Sequence, residues 1–383
     1  MKSASIRQRG LTITELMVSV AISLAVLSAL IYVYVGSRGA YRTNEALARV
    51  QERGRFALEW ISRDLRQAGY MGCLSRGAPI TVYSYDKDKG GPPISGLGSA
   101  IYGFEKPTAQ TDSAYIFSPP STIDHVKGDV VALYSMVDGA IAYVDKDYDN
   151  GIPANTKVTF EACPSFGQDD YVIVTDCQRA GIFTVTDKIT CSTDKTATVT
   201  HSKSGNGWPS GTCPYSDMTC SEDFKFVPPY NKSDRAFMAQ FSQRGYFIGR
   251  PKDAKYADRP PALYRFDSAG ATEAVVDNIE DLDLLFGVDT TGDGSVDAYL
   301  KGDAVTAAGQ WDRVLSVRVS LVAASGELTV QAVKGDKAAI TPGQVVYLRD
   351  ENGDTVVDAS PANTDRQLRQ VFTTTIALRN RLQ

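Results

Sequence analysis

Arg9-Gly10-Leu11-Thr12-Ile13-Thr14-Glu15, followed by the run Leu16 to Val35 in which no residue carries a charge, decides how this chain is built. A secretory signal places its small residues after the apolar stretch, and cleavage there discards the stretch. Here the small residue, Gly10, comes first. A cut after Gly10 removes a short basic leader with Lys2, Arg7 and Arg9 and leaves a chain that begins on its own hydrophobic helix. Four residues of helix put Glu15 only ~6 Å along the axis from Leu11, close to headgroup level if the run spans a bilayer. An ionised carboxylate costs about 2.5 to 3.5 kcal/mol at the centre of a span and less toward its ends. Once such a helix leaves lipid for a bundle of helices, the acid needs a cation. The terminal amine of an adjacent chain, offset along the axis, is a suitable donor.

The helical pattern continues past the apolar run to about Gln67. Leu47, Val50, Gly54, Ala57, Ile61, Leu65 and Ala68 recur at three and four residues, while Arg49, Glu52, Arg53, Glu59, Arg63 and Arg66 fall mostly elsewhere. The first half is therefore apolar all round and the second has one stripe to bury against a globular domain. Gly36 and Gly39 lie at the change, where a bend or local melting is expected.

The Gly10-Leu11 junction with Glu15 resembles the type IV prepilin signal, departing from its usual pattern at Leu11, where Phe is common, and at Thr14. The resemblance implies that a prepilin peptidase cuts after Gly10 and methylates the amine of Leu11. It also implies that Glu15 pairs with the terminal amine of a neighbouring subunit. Ser37-Arg38-Gly39-Ala40-Tyr41-Arg42, Glu45 to Leu58 and Arg63 to Cys73 are similar to the PilW group of minor pilins. So are Asp176-Cys177-Gln178-Arg179-Ala180, Trp311 to Leu321, and Val371 to Arg381.

Beyond Cys73 the pattern changes to strands. Leu315, Val317, Val319 and Leu321 alternate with polar residues, as do Leu282, Leu284 and Phe286. Further β-branched or apolar runs lie at 130–136, 171–175, 182–186, 345–348 and 371–378. No βαβ alternation is visible, so an antiparallel sheet packed on the helix is expected. The fold class is thus α+β: a long N-terminal helix, transmembrane in its first half, against an antiparallel β-sheet domain with a Cys-rich insertion. The expected divisions are a leader at 1–10, the helix at 11–70 with its span at 11–35, and an extracytoplasmic β-rich domain at 71–383. An inserted subdomain is expected at 140–262.

The chain's formal charge of -5 becomes three units more acidic when the leader is removed, which argues against a nucleic-acid partner. Six cysteines, Cys73, Cys163, Cys177, Cys191, Cys213 and Cys220, suit an oxidising compartment and up to three disulfides. Spacing leaves all fifteen pairings of six cysteines open. Cys213 to Cys220 is the first choice for a single bridge, and if all six pair, Cys73 ties the helix end to the distal segment. No Cys-x-x-Cys pair suggests zinc.

Three loops carry side-chain oxygens at alternate positions: Asp145, Asp147 and Asp149; Asp289, Thr291, Asp293, Ser295 and Asp297; and Asp350, Asn352, Asp354 and Asp358. The middle one, with Gly294 at a sharp-turn position, is a candidate Ca²⁺ loop, although Leu300 stands where a bidentate acid is expected. The bland alternative is a set of polar hairpin turns. His125 and His201 are the only histidines, and no catalytic or phosphate-binding motif accompanies them, so no enzyme and no other cofactor is expected.

The PilW resemblance implies a structural role: a minor pilin that joins other minor pilins and the major pilin, primes assembly near the tip and presents an adhesin. Before assembly it would sit in the bacterial inner membrane with its domain in the periplasm; afterwards it is extracellular, in a fimbrium used for adhesion and twitching. A type II secretion pseudopilin is the near alternative, and a membrane-tethered extracellular binding protein or hydrolase the distant one.

Overall fold

A computed structural model describes residues 12–75, 77–83, 99–105, 122–137, 139, 141–149, 154–202, 206, 226, 229–253, 255, 259–267, 271–325 and 368–381. The chain opens with α1 (Ile13–Gln67), 55 residues of helix without interruption. Gly36 and Gly39 lie inside it, so the expected local melting does not occur. Each glycine costs a helix only about 1 kcal/mol relative to alanine, too little to break so long an element.

The strands are β1 (Ile80–Val82), β2 (Ile101–Phe104), β3 (Ile123–Met136), β4 (Ala142–Val144), β5 (Asn155–Phe160), β6 (Tyr171–Thr175), β7 (Ala180–Thr184) and β8 (Thr196–Thr200). They continue with β9 (Phe237–Pro251), β10 (Ala262–Asp267), β11 (Thr272–Asp277), β12 (Ile279–Val288), β13 (Ala298–Leu300), β14 (Val314–Ala324) and β15 (Arg369–Ala377). A short helix, α2 (Gly302–Ala308), precedes β14. The predicted strands at 130–136, 171–175, 182–186, 282–286, 315–321 and 371–378 all fall on observed ones; the one at 345–348 lies outside the described residues.

Two sheets result. In the smaller, the order is β13-β12-β14-β15, antiparallel throughout, with Leu321 opposite Leu282 on one side and Phe372 on the other. The larger is organised by β9. Its first residues pair with β4 and β6, with Met238 opposite both Ala142 and Val174, and its later ones pair with β3 and β10, with Tyr246 opposite Val131 and Arg265. One pairing departs from the antiparallel expectation: β1 runs parallel to β7, Ile80 opposite Ala180, making this sheet mixed.

The apolar side chains gather in two clusters. The main one combines Val50, Ala57, Ile61 and Leu65 of α1 with Val317, Val319, Leu282 and Leu284 of the small sheet and Val131, Tyr246 and Phe247 of the large one. The second joins Tyr83 to buried residues between 142 and 238, with Val158, Val174, Val199 and Met238 among them and Phe226 against the rings of Tyr83, Phe183, His201 and Tyr230. Because β9 runs through both, the cysteine-rich segment has a cluster of its own while remaining part of one continuous sheet.

Candidate assembly site on the N-terminal helix

The helix begins at a capping box. Thr12, at φ -77° and ψ 149°, accepts the Glu15 N–H at its Oγ1 (3.3 Å), and Glu15 Oε2 accepts from Thr12 N (3.0 Å) and Oγ1 (2.8 Å). The carboxylate therefore sits over the positive end of the helix, satisfied by its own cap, with no side chain from elsewhere in the described chain against it. Gly10 and Leu11 lie outside the described residues.

From Ile13 to Glu45 almost no side chain touches the rest of the protein. The most apolar window of α1 has a mean hydropathy of 2.5 and none of it is buried. Leu16, Leu24 and Leu30 are 57 %, 61 % and 61 % exposed. The serines of this half do not call for water: Ser19, Ser23 and Ser28 donate to the carbonyls of Glu15, Ser19 and Ala25 at 2.6, 2.7 and 2.8 Å. Such a surface suits lipid or other apolar helices, and by length it can cross a bilayer.

At Ala46 the solvent changes. Ala46, Val50, Gly54, Ala57, Ile61, Leu65 and Ala68 are buried. Leu47, expected in the stripe, is instead 41 % exposed. Among the described residues the sheet under α1 ends where Arg53 Nη1 donates to the carbonyls of Ala324 (3.2 Å) and Ser325 (3.0 Å), and Leu47 lies more than a turn beyond. Gly54 lets the helix touch β15: a Cβ there would overlap the Phe372 ring, with Cζ at 2.6 Å. At the far end, Asn380 Nδ2 donates to the Ala68 carbonyl (3.2 Å) and, more weakly, to that of Gln67 (3.4 Å).

One charge is buried in this seat. The Asp64 side chain is 3 % exposed, accepts from Tyr246 Oη at 2.7 Å and pairs with Arg265 Nε at 3.3 Å. Arg265 also lies 5.8 Å above the Trp60 ring. The Arg265 contact is an ion pair rather than a directed hydrogen bond, because its N–H points poorly at the oxygen. Burial, reinforced by the Asp64 charge, pushes the Tyr246 phenol far above its ordinary range, so it stays a donor at any ordinary pH. Asp64 escaped the sequence reading, although three residues from Ile61 and four from Ala68 is buried-face spacing.

Beyond the helix, Cys73 is bonded to Cys177, and Cys163 to Cys191. The first bond ties the end of α1 to the β6–β7 turn, as expected if Cys73 pairs with the distal segment. Cys213 and Cys220, the first choice for a bridge, lie outside the described residues. The turn carrying Cys177, at φ +68°, is built by Asp176, whose Oδ1 accepts from the N–H groups of Gln178 and Arg179 (both 3.0 Å). Asp176 Oδ2 pairs with Arg179 Nε at 2.9 Å.

The 289–297 loop folds on its own amides. Asp289 accepts the N–H groups of Gly292, Asp293 and Gly294, and Asp297 those of Thr290 and Thr291 as well as the Thr290 hydroxyl. Burial raises the Asp289 pKa, but the three amides outweigh it and leave the carboxyl below its ordinary value; Thr290 and Thr291 lower Asp297. Asp293 Oδ1 takes the Ser295 N–H at 2.8 Å. Asp145 pairs with Lys232 at 3.0 Å and Asp147 accepts the Ser233 N–H at 2.8 Å; the loop at 350–358 lies outside the described residues. No group of three or more His, Cys, Asp or Glu side chains is placed to hold a metal among the described residues.

Residues 245–380 match the family model described as Type IV Pilus-assembly protein W. The match takes in the second half of β9 and the whole small sheet, including Phe372 and Asn380, and leaves α1 and the Cys177 turn outside. No curated protein and no solved structure matches the chain.

Proposed function

From its membership of the PilW family of type IV pilus assembly proteins, carried by residues 245–380, we propose that this chain is a minor pilin, a structural subunit rather than an enzyme. Prepilin peptidase cuts after Gly10 and methylates Leu11; the subunit waits in the inner membrane with its β-rich domain in the periplasm, then enters the pilus. There it joins other minor pilins and the major pilin, primes assembly near the tip and carries an adhesin outward. The observation that supports this most directly is the division of α1 into an apolar half that touches almost nothing among the described residues and a half seated on both sheets. The bare half exchanges lipid for neighbouring helices at little cost, since both are equally apolar. Glu15 exchanges its own cap for the terminal amine of an adjacent subunit, a charge-assisted bond in a dry core. The family match favours a pilus over a secretion pseudopilus. Calcium at residues 289–297 is not required by this reading, because that loop is held by its own amides.

The test is Glu15→Ala. Membrane insertion is expected to be unchanged while the amount of subunit in sheared pili, and the number of pili, fall. Wild-type levels of both would overturn the reading. Mass spectrometry of the filament-borne protein is expected to begin at Leu11.

A further inference from the structure

Just beyond the apolar run, Tyr34, Arg38, Tyr41 and Arg42 recur at spacings that place them on one face of α1. All are exposed, Tyr34 at 65 % and Tyr41 at 72 %. The next charges along the face neutralise each other, Arg49 Nη2 lying 2.7 Å from Glu45 Oε1. Arg38 and Arg42 have no such partner among the described residues. Leu16 to Val35 as helix spans about 30 Å, the thickness of a hydrocarbon core. Arg38 then stands ~4.5 Å past its end, within the roughly 5 to 7.5 Å of headgroups on each side, and Arg42 ~10 Å past it, just outside that layer, from where its long side chain reaches back. Tyr32, 82 % exposed, and Tyr34 sit at the boundary where amphipathic rings concentrate.

We infer that Tyr34, Arg38, Tyr41 and Arg42 form a binding face for anionic phospholipid headgroups, fixing the depth of the unassembled subunit in the membrane. This rests on the reading that α1 crosses a bilayer before assembly. Arg is suited to the task because its planar fork takes two phosphate oxygens at once and is weakly hydrated. The tyrosine rings supply the apolar body and polar tip that stop the helix sliding inward. Two cations at this height without a partner among the described residues also set a cost on leaving the membrane, which a partner in the growing pilus must offset.

The experiment reconstitutes the full-length chain into phosphatidylcholine nanodiscs with and without phosphatidylglycerol, checks insertion by protease protection, and counts retained lipids by native mass spectrometry. The wild type is expected to retain phosphatidylglycerol in preference to phosphatidylcholine. The double variant Arg38→Gln, Arg42→Gln is expected to lose roughly 10- to 30-fold of that preference, and Arg38→Lys, Arg42→Lys to keep most of it. Insertion without a preference, or a preference that survives the Gln variant, overturns the inference and leaves the pilin reading standing. Reduced pilus incorporation with an unaltered lipid preference does the same and assigns the face to a neighbouring protein. A chain that does not insert at all overturns both.

Discussion

The two halves of α1 have the same backbone and opposite environments. From Ala46 onward, every third or fourth side chain is buried, the helix end is capped by Asn380, and one carboxylate is sunk in the interface with its partners at 2.7 and 3.3 Å. Before Ala46 almost no side chain finds a tertiary partner among the described residues, and Thr12, Glu15, Ser19, Ser23 and Ser28 are satisfied within a turn of themselves. A half whose apolar side chains hold no tertiary contact needs to exchange only the Glu15 cap and the surroundings of Arg38 and Arg42 when it passes from lipid to a protein core. A half whose bonds are long-range cannot leave its domain. The helix is thereby both a detachable handle and a fixed spine.

The largest expected effect breaks the fixed half. Asp64→Ala leaves the buried Tyr246 hydroxyl with only the distant Trp60 carbonyl at 3.4 Å and leaves Arg265, 21 % exposed, with Glu273 alone at 3.3 Å, and losing the charged acceptor of a buried hydrogen bond costs up to about 3 kcal/mol. The melting temperature of the purified chain should fall by several degrees or more. Leu27→Ala, in the bare half, removes a side chain that is 53 % exposed and should leave that temperature unchanged while lowering recovery in pili. Equal melting temperatures for the two variants would erase the distinction between the halves.

A smaller effect sharpens it at one contact. A side chain at Gly54 enters the space of the Phe372 ring, and overpacking of this kind costs about 1 to 3 kcal/mol. Gly54→Leu is therefore expected to destabilise, and Phe372→Ala to be destabilising alone yet to rescue much of the Gly54→Leu defect. A double-mutant cycle on denaturant midpoints reads the coupling. Gly36→Leu, with nothing within 4 Å of its Cβ position, should show no loss.

Most of this division was legible beforehand, because it rests on two periodicities. The uncharged run before Gly36 and the stripe from Val50 to Ala68 are one-dimensional patterns, and the alternating strands around Leu284, Val319 and Ile376 are another. What could not be read is whatever depends on which strands meet. That Gly54 lies under Phe372, 318 positions away in a chain of 383, follows from β15 pairing with β14 beneath the helix. Asp64 reads as a surface acid among arginines until Arg265 and Tyr246 are known to face it. Leu47 fits the stripe perfectly and is exposed because the sheet, among the described residues, stops short of it, which a helical pattern cannot express. The parallel pairing of β1 with β7 was likewise hidden, since three residues carry no signature of direction.

The smallest expected effect asks whether the seat of the helix is independent of the distal cluster. His201 is fully buried, 2.8 Å from Thr156 Oγ1 through Nε2 and stacked on Phe226 at 4.3 Å. Burial depresses its pKa from 6.5 to about 3. A histidine whose folded pKa lies below its unfolded value is bound neutral, so its contribution is complete above pH 6.5 and is lost as pH falls toward 3. The loss is on the order of 1 kcal/mol at pH 6 and roughly doubles by pH 5. His201→Gln, which keeps a hydrogen-bonding group near Thr156 without a titrating ring, should flatten the stability profile between pH 5 and pH 7. Hydrogen exchange at pH 5 is expected to rise in β5, β7 and β8 before it rises in α1 beyond Ala46. Because β9 is common to both clusters, simultaneous opening of α1 and β8 would mean that the strand couples them, and the fixed half would then be only as stable as the cysteine-rich segment behind it.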